Sequence, residues 1–415
     1  MTEGLQLPVG RVPGDWKVLS LKDVTSKIGS GSTPRGGASV YVKEGASFIR
    51  SQNVLDHGFS SDGLVRINEE AAYSLRGVEV RKGDVLINIT GDSILRTCIV
   101  PDEVLPAHVS QHVAILRSNG LIEPQVLQKW LSLEVMKDFM LGHSSGGTRK
   151  AVTKGDLERF PVPVPPLAEQ RAIASVLGAI DDKIESNHRI QNLLELESQV
   201  LYERYFEHDP ESPSCVEVKL AELADINPPR QLKRGSVAKY VEMSSLPTRS
   251  ALIEHWEERE VGSGQKFRNG DTLVARITPC LENGKGAFVN FLDANEVAWG
   301  STEYIVLRPR EPLPLPWAYC LSRTTRFRDF AIQHMNGSSG RQRCDAGALK
   351  EYIVRLAPEG STNYFTEYVT KNFERMGFAR NENHVLEKLR DALLPELLSG
   401  RLRVKDVESM VECVG

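Results

Sequence analysis

No apolar run in the chain approaches the ~20 residues that a membrane span needs. Its opening, MTEGLQLPVGRVPGDW, lacks the basic-then-apolar order of a signal peptide. Six cysteines (Cys98, Cys215, Cys280, Cys320, Cys344, Cys413) lie far apart with no CxxC pair. A metal knuckle or disulfide framework is therefore not expected, and a reducing cytoplasm fits. The basic excess of a dedicated nucleic-acid binder is also missing, since the net charge is −4. GSGSTP (Gly29–Pro34) is not GxGxxG, and ENGKG (Glu282–Gly286) lacks phosphate-loop spacing. HVSQH (His108–His112) spaces two histidines like a zinc helix but has no glutamate, and its setting reads as a strand, so no metal is expected. PDEV (Pro101–Val104) lacks the lysine that follows in a PD-(D/E)xK nuclease.

What is present is a repeat. The 415 residues, 40% apolar and 26% charged, suit two or three soluble domains. Residues 16–160 read as short β-branched runs between glycine and polar turns, such as SFIRSQNV and GDVLINIT. From Leu167 the texture turns helical up to Glu207, and EHDPESPSC (Glu207–Cys215) reads as a linker. Strand-like texture then resumes, and helix returns from about Thr362 to Ser399. RKGDVLINIT (Arg81–Thr90) answers RNGDTLVARIT (Arg268–Thr278), and SSGGTRK (Ser144–Lys150) answers SSGRQRC (Ser338–Cys344). DLERFPVPVPP (Asp156–Pro166) answers ALKEYIVRLAP (Ala348–Pro358), and SNHRIQNLLELE (Ser186–Glu197) answers ENHVLEKLRDAL (Glu382–Leu393). Four matches in one order imply a duplication whose period is a domain plus a long helix.

In the first helix Ile173, Ile180, Asn187, Leu194 and Leu201 recur every seven residues, the seam of a coiled coil. Val369, Met376 and Asn383 hold matching places in the second. Helices of about 40 residues reach roughly 60 Å, too long to bury the stripe in one globule of this size. The two are expected to pair antiparallel, which lets Asn187 and Asn383 meet and set the register. Two similar readers on such a spacer suit a duplex with two half-sites on one face.

PVPVPPLAEQRAIASVLGAIDDKIESN (Pro161–Asn187) resembles the central conserved region of type I restriction–modification specificity subunits. KLRDALLPELLSGRLRV (Lys388–Val404) resembles their distal conserved region. IGSGSTPRGG, SFIRSQNV, RKGDVLINITGD and GGTRKAVTKGDL resemble punctuation of their target recognition domains. The second half departs from the pattern: INPPRQLKRG replaces the glycine–threonine–proline opening, and APEGSTNYFTEY replaces the proline–leucine–glutamate–glutamine junction.

The resemblance implies an α+β fold of two mixed α/β recognition domains separated by two long antiparallel helices. The expected boundaries are 1–165 and 208–360 for the recognition domains, 166–207 and 361–404 for the helices, and 405–415 for a tail. It implies that each domain reads half of a bipartite DNA site while the rod sets the gap. Two modification subunits carrying S-adenosylmethionine, with or without two ATP- and Mg-dependent restriction subunits, would bind the chain. The remaining alternatives are a duplicated adaptor for protein partners and a self-sufficient methyltransferase. For the latter, NPPR (Asn227–Arg230) offers an arginine where an amino-methyltransferase needs a base-stacking aromatic, so no catalysis is expected.

Arginine suits guanine and the amides suit adenine in the major groove. The first domain's candidate DNA contacts are thus Ser30, Thr33, Arg35, Arg50, Gln52, Asn53, Arg149 and Lys150. The second domain's are Arg230, Lys233, Arg276, Lys285, Ser339, Arg341 and Arg343. Arg50 and Arg276 have an alternative as strand-edge residues paired with a carboxylate. Exposed residues of PPLAEQR and LLPELLSGRL are candidate docking surfaces for modification subunits, the alternative being packing on their own globules.

Overall fold

The RKGD and RNGD strings fold into the same turn twice. Gly83 and Gly270 take φ of +79° and +87°, a left-handed conformation open mainly to glycine. Asp84 then accepts the Arg81 amide at 2.7 Å, and Asp271 the Arg268 amide at 2.9 Å. Each turn launches a four-residue strand, Val85–Asn88 or Thr272–Ala275, that is buried throughout.

Around these strands the computed structural model, which describes residues 7–56, 58–144, 151–207, 216–338, 340–356 and 361–404, divides into two compact units. Unit 1 is Met1–Asp182 with Leu386–Gly415, and unit 2 is Lys183–Val385. In unit 1 one sheet runs in the order Thr97–Ile99, Val85–Asn88, Val113–Ser118, Thr25–Ser30, all antiparallel. A second sheet runs Tyr41–Val42, Val65–Ile67, Ala46–Ile49, Ala107–Val109, Glu79–Val80, with Ala46–Ile49 and Ala107–Val109 parallel. Unit 2 repeats the first order as Gly286–Phe288, Thr272–Ala275, Tyr304–Pro309, Ala224–Ile226. It repeats the last four strands of the second as Glu257–Glu260, Val237–Val241, Ala298–Gly300, Gln265–Phe267, with Val237–Val241 and Ala298–Gly300 parallel. A shared order that includes a shared parallel pair makes the two units one topology.

The proline-stiffened stretch Pro161–Val164 pairs antiparallel with Lys17–Ser20 in a ribbon that gains no third strand. Pro161 and Pro163 have no amide hydrogen to donate, which suits such an edge. The chain leaves this ribbon directly into the helix Leu167–Tyr202, 36 residues long. Its partner in sequence, Pro-free until Pro395, is the 39-residue helix Ser361–Ser399.

Both long helices run across the division between the two units, each contributing residues to both. Within unit 1, Ile173 and Leu177 share a core with Trp130, Leu131, Leu394 and Leu397. Within unit 2, Leu194 packs with Val369, Phe373 and Met376, and all four share a core with Trp317 and Phe327 of the globule. The apolar stripe is therefore buried by the sister helix and the globule together, rather than by the sister helix alone. Ile180 is also buried, and Leu201 is half-buried.

Side chains on the paired stretches meet in antiparallel order. Asp181 meets Arg390 at 3.5 Å in unit 1. In unit 2 Asn187 meets Asn383 at 2.8 Å, Ser198 meets Asn372 at 3.3 Å, and Tyr205 lies 6.3 Å from Tyr364 between ring centroids. Partner numbers fall as the first rise, and the two seam asparagines do bond each other.

Glu195 ties the first long helix to unit 2's globule by accepting the Tyr319 hydroxyl at 2.5 Å. Burial raises its carboxyl above the ordinary range, and the Tyr319 hydrogen bond only partly opposes this. Raising an acid's folded-state pKa makes the folded chain hold the proton longer than the unfolded one. Stability should thus fall as pH climbs from the ordinary carboxylate range through the raised value. Glu195→Gln should abolish that slope and be the more stable form above it, as urea titrations at stepped pH would show.

Candidate DNA-recognition surface

In each unit the same ends of the sheets converge. In unit 1 the strands ending at Ser30, Ile49, Asn88 and Val109, and the one starting at Val113, deliver four loops to one edge. Gly31 donates to the Val113 carbonyl at 3.2 Å, Ser110 to Ile49 at 2.9 Å and Ile89 to His112 at 3.0 Å. The Asn88 amide reaches the Ser51 carbonyl at 2.9 Å. In unit 2 Asn227 donates to Val306 at 2.7 Å, Arg276 to Glu303 at 2.9 Å and Cys344 to Arg276 at 2.8 Å. The isolated bridges Thr90–Ala151 and Ile277–Arg343 hold corresponding places in the two units.

The sequence candidates separate on this geometry. In unit 1 Ser30, Thr33, Arg35 and Gln52 are exposed on the edge, and Arg50 is half-buried there. The Arg50 guanidinium donates to the Gly63 carbonyl at 2.6 Å, and the Gln52 amide to Asp62 at 3.3 Å. Asn53 is a correction. It is fully buried, its oxygen accepts the Arg50 amide at 3.0 Å, and its nitrogen donates to Ser60 and Asp62 at 2.9 and 3.1 Å. Asn53 shapes the loop and cannot face a base. Arg149, Lys150 and Ser339 lie outside the described residues.

In unit 2 Arg276, Lys285, Arg341 and Arg343 come together. Lys285 donates to the Met243 carbonyl at 2.8 Å, and Arg343 lies along Glu303 at 2.8 Å. That carboxylate, through its hydrogen bond and then its charge, holds the Arg343 guanidinium even more firmly protonated than usual. The basic string RTTRFR joins them: the Arg323 guanidinium donates to the Gly284 carbonyl at 2.7 Å, one residue from Lys285. Lys233 does not join, because its loop precedes the strand Val237–Val241 whereas Met243 follows it. Neighbouring Gly235 pairs with Val261 at the far end.

Arg230 is the second correction. Its guanidinium is only 9% exposed and grips the buried Asp271 at 3.0 and 2.7 Å, beside Arg308 at 2.8 Å. Asp84 in unit 1 binds Arg117 at 2.7 Å in the corresponding place. The NPPR turn is therefore structural: Arg230 closes the buried ion cluster, and the Asn227 oxygen accepts the Val306 amide at 2.8 Å. The repeated glycine–aspartate was the visible signal for Asp84 and Asp271. No local pattern marked Arg117 or Arg308 as their partners.

The chain matches the family model for the type I restriction modification DNA specificity domain over residues 13–196. The type I restriction enzyme MjaIX specificity subunit of Methanocaldococcus jannaschii is 24% identical across 98% of both chains. This chain is similar to type I specificity subunits. The EcoBI specificity subunit of Escherichia coli is 31% identical over 35% of this chain and 31% of its own. In fold, the chain is similar to the crystal structure of a type I restriction–modification S subunit from M. genitalium. Their TM-score is 0.58 at 14% identity, covering 94% of this chain and 99% of that one.

These likenesses support reading the converging loops as a DNA-recognition surface. In the motifs expected to dock partners, Glu169 accepts the Trp16 indole at 3.0 Å and Arg403 at 2.6 Å. Gln170, Leu394, Leu397 and Leu398 are buried in the same unit. These motif residues anchor their own globule, the alternative reading of them. On the first long helix Leu167 of this motif is exposed, and further exposed apolar residues lie beyond it. Leu193, Leu196 and Val200, spaced along one helical face, are 60, 60 and 54% exposed. Among the described residues no helix is long and apolar enough to cross a membrane.

Proposed function

We propose that each unit reads one half of a bipartite duplex site through its converging loops, with the long helices setting the unread spacing. The observation that carries this is the paired edge: one topology twice, with exposed hydrogen-bonding side chains gathered at the same strand ends. Phosphate contacts from Arg276, Arg341, Arg343 and Lys285 in unit 2 hold the duplex, while base-facing groups choose it. Chemistry belongs to partners, namely modification subunits carrying S-adenosylmethionine, and restriction subunits with ATP and Mg where present. The NPPR turn supports that division, since its asparagine oxygen and its arginine are committed to the fold. Leu193, Leu196 and Val200 offer the apolar surface on which a modification subunit would seat. The assembly acts in the cytoplasm, where a net charge of −4 is tolerable because partners supply further phosphate contacts.

The test is salt-dependent DNA binding by the chain assembled with its modification subunits. Arg341→Ala with Arg343→Ala should weaken binding about equally on every sequence. It should also lower the slope of log affinity against log salt by about 1 for each phosphate left without its cation. An unchanged slope would remove this edge of unit 2 from the interface.

A further inference from the structure

Gly31 is the residue that aligns unit 1's edge. A Cβ there would lie 1.7 Å from the Val109 carbonyl oxygen and 2.8 Å from that of Ser110, so only glycine lets the Ser30–Pro34 loop close onto that strand. Closure brings the Thr33 hydroxyl against the side-chain oxygen of Gln111, in the exposed turn between Val109 and Val113. The Gln111 nitrogen lies 3.3 Å from His112 Nε2, and His112 Nδ1 lies 2.7 Å from the Thr90 hydroxyl.

These contacts admit a single consistent set of directions for a neutral imidazole. Thr33 donates to the Gln111 oxygen, the Gln111 amide donates to Nε2, and the Nδ1 hydrogen is donated to Thr90. The Gln111 amide is thereby held in one orientation. One N–H and one oxygen lone pair remain on this exposed amide. That is the pattern complementary to adenine N6 and N7 in the major groove.

We propose that Gln111 reads an adenine in the half-site of unit 1, and that Thr33, His112 and Thr90 are positioning residues that hold its amide. This rests on the reading of the converging loops as the DNA face. The other amides there are less free: Asn53 is buried in its loop, and Gln52 is turned back to the Asp62 carbonyl. Unit 2 places Glu303 rather than an amide at the matching turn, where it holds Arg343.

The experiment selects bound duplexes from a library of random sequence, using the chain assembled with its modification subunits. The Gln111→Ala assembly is expected to lose preference at one A·T pair by roughly tenfold or more, leaving the other positions intact. Gln111→Glu, which exchanges the amide donor for an acceptor, should shift that position towards C. Thr33→Val should blunt the same position without moving any other. Two results overturn the assignment while leaving the DNA face standing: an unaltered motif with Gln111→Ala, or a uniform loss across all sequences. The face itself falls if Arg35→Ala with Arg96→Ala, at two exposed arginines of the same edge, leaves affinity for random duplex and its salt dependence unchanged.

Discussion

An Asp271→Ala chain is expected to lose about 3–5 kcal/mol of stability in unit 2, the cost of breaking a buried ion pair from one side. Asp271 has no solvent exposure and accepts from Arg230, Arg308 and the Arg268 amide. Removing it leaves two guanidinium groups, 9% and 19% exposed, facing each other without a counter-charge. It also frees the turn that starts the central strand Thr272–Ala275. Asp84→Ala in unit 1 should cost less, because a single arginine, Arg117, is stranded and it is 20% exposed. Urea unfolding followed by tryptophan fluorescence would measure both, with Trp256, Trp299 and Trp317 in unit 2 and Trp16 and Trp130 in unit 1. A loss below about 1 kcal/mol for Asp271→Ala would contradict the buried cluster, since that is the range of an exposed pair.

The second large effect is a non-additive one at the helix seam. Asn187 donates to Asn383 at 2.8 Å and to Glu382 at 2.8 Å, and Asn383 donates to the Ile184 carbonyl at 3.3 Å. Both asparagines are buried, at 2% and 1% exposure. Asn187→Leu strands the Asn383 oxygen against a methyl group and should cost about 1–3 kcal/mol. Changing both to leucine should cost less than the sum of the single changes, with a coupling of about 0.5–3 kcal/mol. The double variant also lacks the polar pair that distinguishes this register from one slipped by a heptad. It should therefore show mixed species by light scattering on a sizing column. A single species and additive energies would show that the asparagines are bystanders.

The seam illustrates how much was legible beforehand. A seven-residue apolar period appears in one dimension because a helix converts spacing into a face. Asn187 and Asn383 could then be matched through the repeat alone. The globule side of each helix was hidden, since Glu195 meeting Tyr319 or Met376 sharing a core with Trp317 depends on residues far apart in sequence. For that reason the expectation of helices buried only by each other was too simple. A related limit applies to the docking motifs: an apolar run such as LLPELL cannot reveal which of its leucines face the globule and which face solvent.

Recognition residues divide in the same way. Residue type suggested Arg230 and Asn53, yet a guanidinium or an amide serves an internal carboxylate or carbonyl as readily as a base. Burial decided both. Gln111, His112 and Thr90 carry no local signature of a base reader and become a unit only when their two loops meet that of Thr33.

By itself, the amino-acid order determined the duplication, the strand-then-helix alternation, the helix seam and the family resemblance, because each is written in short-range periodicity or in strings that recur. Tertiary structure alone decided which charged and amide side chains were spent inside and which were left facing out. The physical reason is that a polar group must find a partner on leaving water, and the identity of that partner depends on which distant segments the sheets bring together.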